Sequence, residues 1–156
     1  MKIYVLPRLE CEALEPRADT AIVSITNPRQ KPAELPGWPY VLSLGFHDVD
    51  HPVPGWLAMV PQQARAIVQF ANQVPPHVKF IIVHCEYANA RSPAVAFFLA
   101  QWLQCDMHWD RDGVPNSWVW KQLTMAARRY AWCRPAKWKM LWRLSRVKPT
   151  LALPQR

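Results

Sequence analysis

Residues 80–92 of the chain read FIIVHCEYANARS, and this stretch decides much of the predicted fold. Its first four residues are apolar, which predicts a strand buried on both faces in the middle of a parallel sheet. Cys85 ends the strand pattern, and Arg91 follows six positions later, where a helical pattern begins. A short loop that opens into a helix N-terminus presents backbone N–H groups to an anion, and an arginine can grip two phosphate oxygens. The stretch therefore predicts Cys85 as a nucleophile followed by a phosphate-binding loop, whose residues are Glu86, Tyr87, Ala88, Asn89, Ala90 and Arg91.

The Cys-x5-Arg spacing alone is weak evidence, because the chain contains it three times. The copies that begin at Cys11 and Cys105 each enclose two carboxylates, which would repel an incoming phosphate dianion. Only the copy at Cys85 has a histidine before the cysteine, a serine after the arginine and an apolar run upstream. That longer pattern is expected in about 0.0006 of shuffled chains of this composition. The alternative interpretation of Cys85 is a buried structural cysteine at the end of a core strand.

Strand and helix patterns alternate along the chain. Short segments rich in β-branched residues predict strands at 2–6, 21–25, 40–46 and 78–83. Apolar residues at helical spacing predict helices at 61–74, 92–103 and 116–130, with Asn116 as the N-cap of the last one, and the polar residues 104–115 predict a connection. The pattern predicts a single α/β domain over residues 1–156, in which three layers contain a central four- or five-stranded, mostly parallel sheet flanked by helices. The phosphate-binding loop would lie at the carboxyl end of a central strand.

The sequence favours a reducing, cytoplasmic location. The N-terminal residues predict a strand and not a signal peptide, because their apolar run stops at Pro7 and Arg8. No uninterrupted apolar stretch reaches membrane-spanning length, so no transmembrane segment is expected. The four cysteines have neither the pairing of a metal site nor the density of a disulfide scaffold.

The net charge of +8 favours anionic partners. Much of it lies in a basic, Trp-rich C-terminal segment at about 132–156. Basic residues interleaved with tryptophan can contact nucleic acid or an anionic membrane surface. The preferred interpretation is an amphipathic helix with Trp138, Leu141 and Trp142 on its apolar face and its lysines and arginines in solvent. A weak contact with an anionic surface or nucleic acid stays open.

Residues 84–92 resemble the signature of the cysteine-dependent protein tyrosine phosphatase superfamily, nearest to its small bacterial members of the dual-specificity type. Residues 42–48 resemble the segment that delivers the family's general acid, and Pro115-Asn116 at the start of a helix resembles the C-terminal part of those phosphatases. The chain departs from the family at one position. The family usually has glycine three residues after the nucleophile, where this chain has Ala88. A Cβ in a conformation suited to glycine costs about 1 kcal/mol.

The resemblance implies a phosphatase-like fold. It also implies a phosphomonoester hydrolase that forms a phosphocysteine intermediate, and within that group a protein tyrosine or dual-specificity phosphatase. Cys85 would be the nucleophile, which a helix N-terminus and Arg91 would hold as a thiolate. By the family's pattern, His84 orients the loop and is not a base. Ser92 would donate a hydrogen bond to the Cys85 sulfur and ease its departure. No cofactor is expected.

The reaction also needs a proton donor for the leaving group and later a base for water. Asp48 and Asp50 are the candidates, and Asp48 is preferred because it matches the family's acid position. Asp50 would then be a turn-forming loop residue. A metal site formed by these carboxylates with His47 and His51 is disfavoured, because successive side chains on an extended segment point in opposite directions.

The expected partner is a phosphorylated protein or another phosphomonoester, with phosphotyrosine, phosphoserine or phosphothreonine, lipid and RNA all left open. Two other functions are compatible with the sequence. One is a catalytically silent phosphate-binding module, in which Ala88 prevents turnover. The other is a rhodanese-like sulfurtransferase, whose cysteine also begins a short anion-binding loop, although Ser92 and the acid segment argue against it.

Overall fold

The fold is built on a five-stranded sheet, seen in a computed structural model that describes residues 1–132. The strands are β1 (Lys2–Pro7), β2 (Thr20–Thr26), β3 (Tyr40–Gly45), β4 (Phe80–Cys85) and β5 (Asp106–His108). Their order in the sheet is β3-β2-β4-β1-β5, and all neighbouring strands are parallel. The predicted central position of the strand that ends at Cys85 is confirmed, because β4 lies in the middle and every residue after Phe80 is buried.

Helices and irregular segments cover both faces of the sheet. The helices are α1 (Arg8–Glu12), α2 (Pro61–Gln73), α3 (Arg91–Leu103) and α4 (Ser117–Trp132). The longer three pack against one face and form the main core with strand residues such as Val23 and Val83. On the opposite face, Cys11 of α1 and the nearby Trp38 pack against Ile22 and Ile82. The three-layer α/β architecture predicted from the sequence is confirmed.

Helices α2 and α4 begin with local signals in the sequence. Helix α2 starts with proline, and the Gln63 side chain accepts a hydrogen bond from the Val60 backbone N–H at 3.0 Å. Helix α4 starts after Asn116, whose side-chain oxygen accepts a hydrogen bond from the Val119 N–H at 2.9 Å. Asn116 is therefore the N-cap that the sequence predicts.

Two short elements were not predicted. Strand β5 lies inside the segment 104–115 that was expected to be a connection, and α1 follows β1 directly. A strand of three residues has too little alternation to be recognised, and β5 exists because its backbone pairs with β1. The predicted C-terminal amphipathic helix lies outside the described residues. Within residues 1–132, no helix is long and apolar enough to span a membrane.

Because all five strands are parallel, their carboxyl ends meet at one edge of the sheet. That edge is where open α/β sheets bind ligands. The segment that follows each strand therefore lies near the loop after β4.

Candidate active site

The loop of residues 86–91, called here the cradle, is held by its carbonyl groups. The Glu86 carbonyl accepts a hydrogen bond from the Arg8 N–H at 3.3 Å, and the Ala90 carbonyl accepts from the N–H groups of Ala94 at 3.2 Å and Asn116 at 3.1 Å. The Ala88 carbonyl accepts from the indole Nε1 of Trp109 at 2.9 Å. Within the part of the chain that the structure describes, the backbone N–H groups of residues 87–91 make no hydrogen bond. The carbonyl groups of the cradle thus hold its shape, and its backbone donors are left without a protein partner, an arrangement that can bind an anion.

Ala88 lies in the left-handed region of backbone conformation, with φ at 58°, and its side chain is buried. This is the position at which the resemblance implies glycine. Left-handed geometry costs an L-residue about 1–2 kcal/mol, so neighbouring contacts must hold Ala88 in place.

The predicted nucleophile and its serine are in direct contact. Cys85 and Ser92 are both buried, and the Ser92 hydroxyl donates a hydrogen bond to the Cys85 sulfur at 3.0 Å. The cysteines of the other two Cys-x5-Arg copies have different surroundings. Burial, aided by the nearby Glu12 carboxylate, raises the pKa of Cys11 to about 12, and burial also raises the pKa of Cys105. Both therefore stay thiols at neutral pH, in agreement with their exclusion as nucleophiles.

Arg91 is almost fully buried, and its guanidinium is fixed at one end. Its Nη1 donates to the side-chain oxygen of Asn27 at 2.8 Å and to the backbone carbonyl of Phe46 at 2.7 Å. Both acceptors are neutral, and no carboxylate of residues 1–132 forms an ion pair with Arg91. Its buried Nε makes no hydrogen bond to the described residues. The guanidinium is held in one orientation, but no carboxylate of the described residues neutralises its charge and its Nε–H has no acceptor among them.

Asp48 is linked to the cradle through Asn116. The Asn116 amide donates to the Asp48 carboxylate at 2.7 Å and to the Val49 carbonyl at 3.1 Å, while its backbone N–H binds Ala90. The exposed Asp50 carboxylate instead contacts the exposed ring of His51 at 2.5 Å. Both aspartates line an open cleft of about 410 Å³ that Ala90 of the cradle also lines. Both carboxylates are exposed, and the hydrogen bond from Asn116 distinguishes Asp48, whose role as general acid stays a prediction.

The segment that carries both aspartates is closed at its base by His47 and Leu57. The His47 N–H donates to the Leu57 carbonyl at 2.8 Å, and the Leu57 N–H donates to Nδ1 of the His47 ring at 2.9 Å. The edge of Trp56 contacts the same ring, with the ring centres 4.8 Å apart. His47 therefore closes the loop. Within residues 1–132, no cluster of three or more metal-ligating side chains occurs.

His84 is fully buried beneath the cradle. Burial lowers its pKa from the ordinary value of 6.5 to about 4, although the Glu12 carboxylate and the Cys85 backbone act in the opposite direction. The imidazole is therefore neutral at neutral pH. Neither ring nitrogen makes a hydrogen bond to the described residues, so the expected orienting role stays a prediction.

The other cradle side chains differ in exposure. Tyr87 is 71% exposed, Asn89 is exposed and Ala90 is half-buried. Glu86 is half-buried and forms no ion pair within the described residues. The groups of the cradle that could contact an anion are therefore its backbone N–H groups and Arg91.

Three residues of the site were missed by sequence reasoning or assigned only in part. Asn27 and Trp109 were not singled out, and Asn116 was predicted only as a helix cap. Asn27 follows a buried strand at the carboxyl edge, which is a signal that could have identified it. Trp109 had no such signal, because the strand that positions it was not predicted.

Comparison of the chain with protein-family models, with curated proteins and with solved structures gives no match.

Replacing His84 with phenylalanine should change how stability depends on pH. The unfolded state takes up a proton below about pH 6.5, whereas folded His84 does so only near pH 4. His84 therefore leaves the free energy of unfolding unchanged above pH 6.5. As the pH falls to 4, the unfolded state gains a proton that the folded state does not, and the free energy of unfolding decreases by about 3 kcal/mol in total. Urea unfolding of both proteins between pH 7.5 and 4 measures the difference. Parallel curves would contradict the assignment, because the other histidines are common to both proteins.

Ala88→Gly should raise the free energy of unfolding by up to about 1 kcal/mol, because relief of the left-handed strain exceeds the added freedom of the unfolded chain. Ala100→Gly is the control, since Ala100 lies within helix α3 and has no left-handed strain to relieve. That variant should be destabilised by about 0.4–1 kcal/mol. Equal losses in the two variants, measured by urea titration, would show that Ala88 is unstrained.

Proposed function

We propose that the chain is a phosphomonoester hydrolase that works through a phosphocysteine intermediate. The observation that carries the proposal is the buried Arg91 guanidinium, which has an unpaired Nε and no carboxylate partner among the described residues. A buried charge without a counterion is costly, and such sites are balanced by a ligand of opposite charge. The free edge of a guanidinium fits two oxygens of a phosphate.

The position of this charge supports phosphoryl transfer over simple anion binding. Arg91 is the last residue of the cradle and the first of helix α3, and Cys85 directly precedes the cradle. An anion bound by Arg91 and by the cradle N–H groups would therefore lie against the Cys85 sulfur. The Ser92 hydrogen bond to that sulfur stabilises a thiolate. These groups provide a nucleophile, an anion site and a neutral donor to the leaving sulfur.

In the first step, the Cys85 thiolate attacks phosphorus, and the bond from phosphorus to the ester oxygen breaks. Asp48, in its acid form, transfers its proton to the departing oxygen. The charge on the phosphoryl oxygens is stabilised by Arg91 and by the free N–H groups of the cradle. Asn116 holds Asp48 in position during this transfer.

In the second step, the Asp48 carboxylate accepts a proton from water, and the water oxygen attacks phosphorus. The sulfur–phosphorus bond breaks and releases inorganic phosphate. The Ser92 hydroxyl donates a hydrogen bond to the departing thiolate, as it does to Cys85 in the free protein. Asp48 is protonated again at the end of the cycle.

The resemblance of residues 84–92 makes a protein tyrosine or dual-specificity phosphatase the proposed class, acting on a phosphorylated protein in the cytoplasm. Residues 133–156 contain seven Lys or Arg residues and no Asp or Glu. This composition supports a weak additional contact with an anionic surface or nucleic acid.

Cys85→Ser should abolish turnover of p-nitrophenyl phosphate but preserve binding of inorganic phosphate, because only the nucleophile is changed. Cys105→Ser is the control and should keep the wild-type rate. Steady-state kinetics and calorimetric titration with phosphate measure the two properties. Wild-type turnover by Cys85→Ser would exclude the mechanism.

The same assays separate the alternatives. Phosphate binding without turnover by the wild-type protein would indicate a silent binding module. Sulfur transfer from thiosulfate without phosphatase activity would indicate a sulfurtransferase.

Asp48→Asn should lower the rate with aryl phosphates by about 100-fold or more and flatten the basic limb of the pH profile, because it removes the proton donor. The asparagine keeps an oxygen that can accept the Asn116 hydrogen bond. Asp50→Asn is the matched control and should retain most of the activity. The reverse ranking of the two variants would assign the acid to Asp50.

A further inference from the structure

The segment 109–116, called here the brace, contacts three consecutive residues of the cradle. Trp109 donates to the Ala88 carbonyl at 2.9 Å. Gly113 lies so close to Asn89 that an added Cβ would collide with the Asn89 carbonyl oxygen. The Asn116 N–H donates to the Ala90 carbonyl at 3.1 Å.

The brace is itself fixed at several points. The Trp109 ring packs edge-on against Phe97 of α3, with the ring centres 5.8 Å apart. Arg111 forms an ion pair with Glu10 of α1. At its end, Asn116 caps α4. These contacts connect the brace to three helices, so it can transmit their rigidity to the cradle.

Ala88 needs such support. Its φ of 58° is disfavoured for alanine, and the peptide group after Ala88 carries the carbonyl that Trp109 binds. If that carbonyl rotated, the N–H of Asn89 in the same planar peptide would rotate with it. The Trp109 hydrogen bond therefore fixes the direction of a cradle N–H as well as the conformation of Ala88.

We propose that Trp109 is a positioning residue that holds Ala88 in its left-handed conformation and so aligns the cradle for phosphate. The proposal rests on the function proposed above. The hydrogen bond from Trp109 allows alanine to occupy a position where glycine would be free of strain.

Trp109→Phe tests the proposal, because it retains an aromatic ring beside Phe97 and removes the indole donor. We expect the Kd for inorganic phosphate to rise by about 5- to 10-fold, the scale of one lost hydrogen bond. In turnover, KM should rise more than kcat falls. Trp118→Phe is the matched control, because Trp118 also donates its indole N–H to a backbone carbonyl, that of Met59 at 2.9 Å. Its phosphate Kd should change less than about 2-fold.

A double-mutant cycle with Ala88→Gly distinguishes positioning from general destabilisation. Glycine adopts the left-handed conformation without support, so Ala88→Gly should recover about 3-fold or more of the lost phosphate affinity when Trp109 is phenylalanine. In the wild-type background it should change the affinity less than about 2-fold. Equal effects in both backgrounds, or an unchanged Kd in Trp109→Phe, would overturn the proposal.

One further measurement does not depend on phosphate. The same cycle on the midpoint of thermal unfolding needs no ligand, and we expect a larger upward shift from Ala88→Gly in the Trp109→Phe background. If the wild-type protein binds no phosphate, the proposed function fails while this cycle still tests the contact.

Gly113→Ala serves as the second variant if Trp109→Phe does not fold. It should weaken phosphate binding by about 5-fold or more, because the added Cβ displaces the brace from Asn89. Gly45→Ala is its control, since a Cβ there meets only Pro28 at 3.8 Å. Equal phosphate affinity in these two variants would contradict a role for the brace.

Discussion

The site depends on a single constraint, which is that five parallel strands end at the same edge of the sheet. The cradle follows β4, and each of the other four strands is followed by a group that binds the cradle or Arg91, or that lies near them. These groups are the Arg8 N–H after β1, the Asn27 amide after β2, the Phe46 carbonyl and Asp48 after β3, and the Trp109 indole after β5. A mixed sheet would separate them, because antiparallel neighbours end at opposite edges.

The second organising feature is which polar groups of the cradle and Arg91 form hydrogen bonds within the protein and which do not. The fold binds the carbonyls of Glu86, Ala88 and Ala90 and one end of the Arg91 guanidinium. The N–H groups of residues 87–91 and the Arg91 Nε receive no partner from the described residues. The backbone acceptors of the cradle thus fix its geometry, and its backbone donors stay unpaired, as does the buried Oε2 of Glu86. Preorganised donors of this kind stabilise charge without having to reorient during a reaction.

Local sequence was enough to predict the centre of the molecule. The apolar run before Cys85 predicted β4, and helical spacing after Arg91 predicted α3, because burial on both faces and on one helical stripe leaves distinct patterns. Charge was equally informative, since the carboxylates within the other two Cys-x5-Arg copies excluded them. Strand β5 and helix α1 were missed because such short elements carry no periodic signal and are held by contacts made elsewhere.

The α/β class, the central strand, the order of Cys85, Arg91 and Ser92 around the loop, and the N-cap at Asn116 can all be predicted from the sequence. All of these follow from residues within a few turns of one another, where hydrophobic period and capping chemistry act locally. Three contacts of the site appear only in the folded chain: Asn27 binds Arg91, Asn116 connects Asp48 to the cradle, and Trp109 binds the Ala88 carbonyl. These contacts join residues 21–68 positions apart. Their existence depends on strand order and register, which local patterns do not encode.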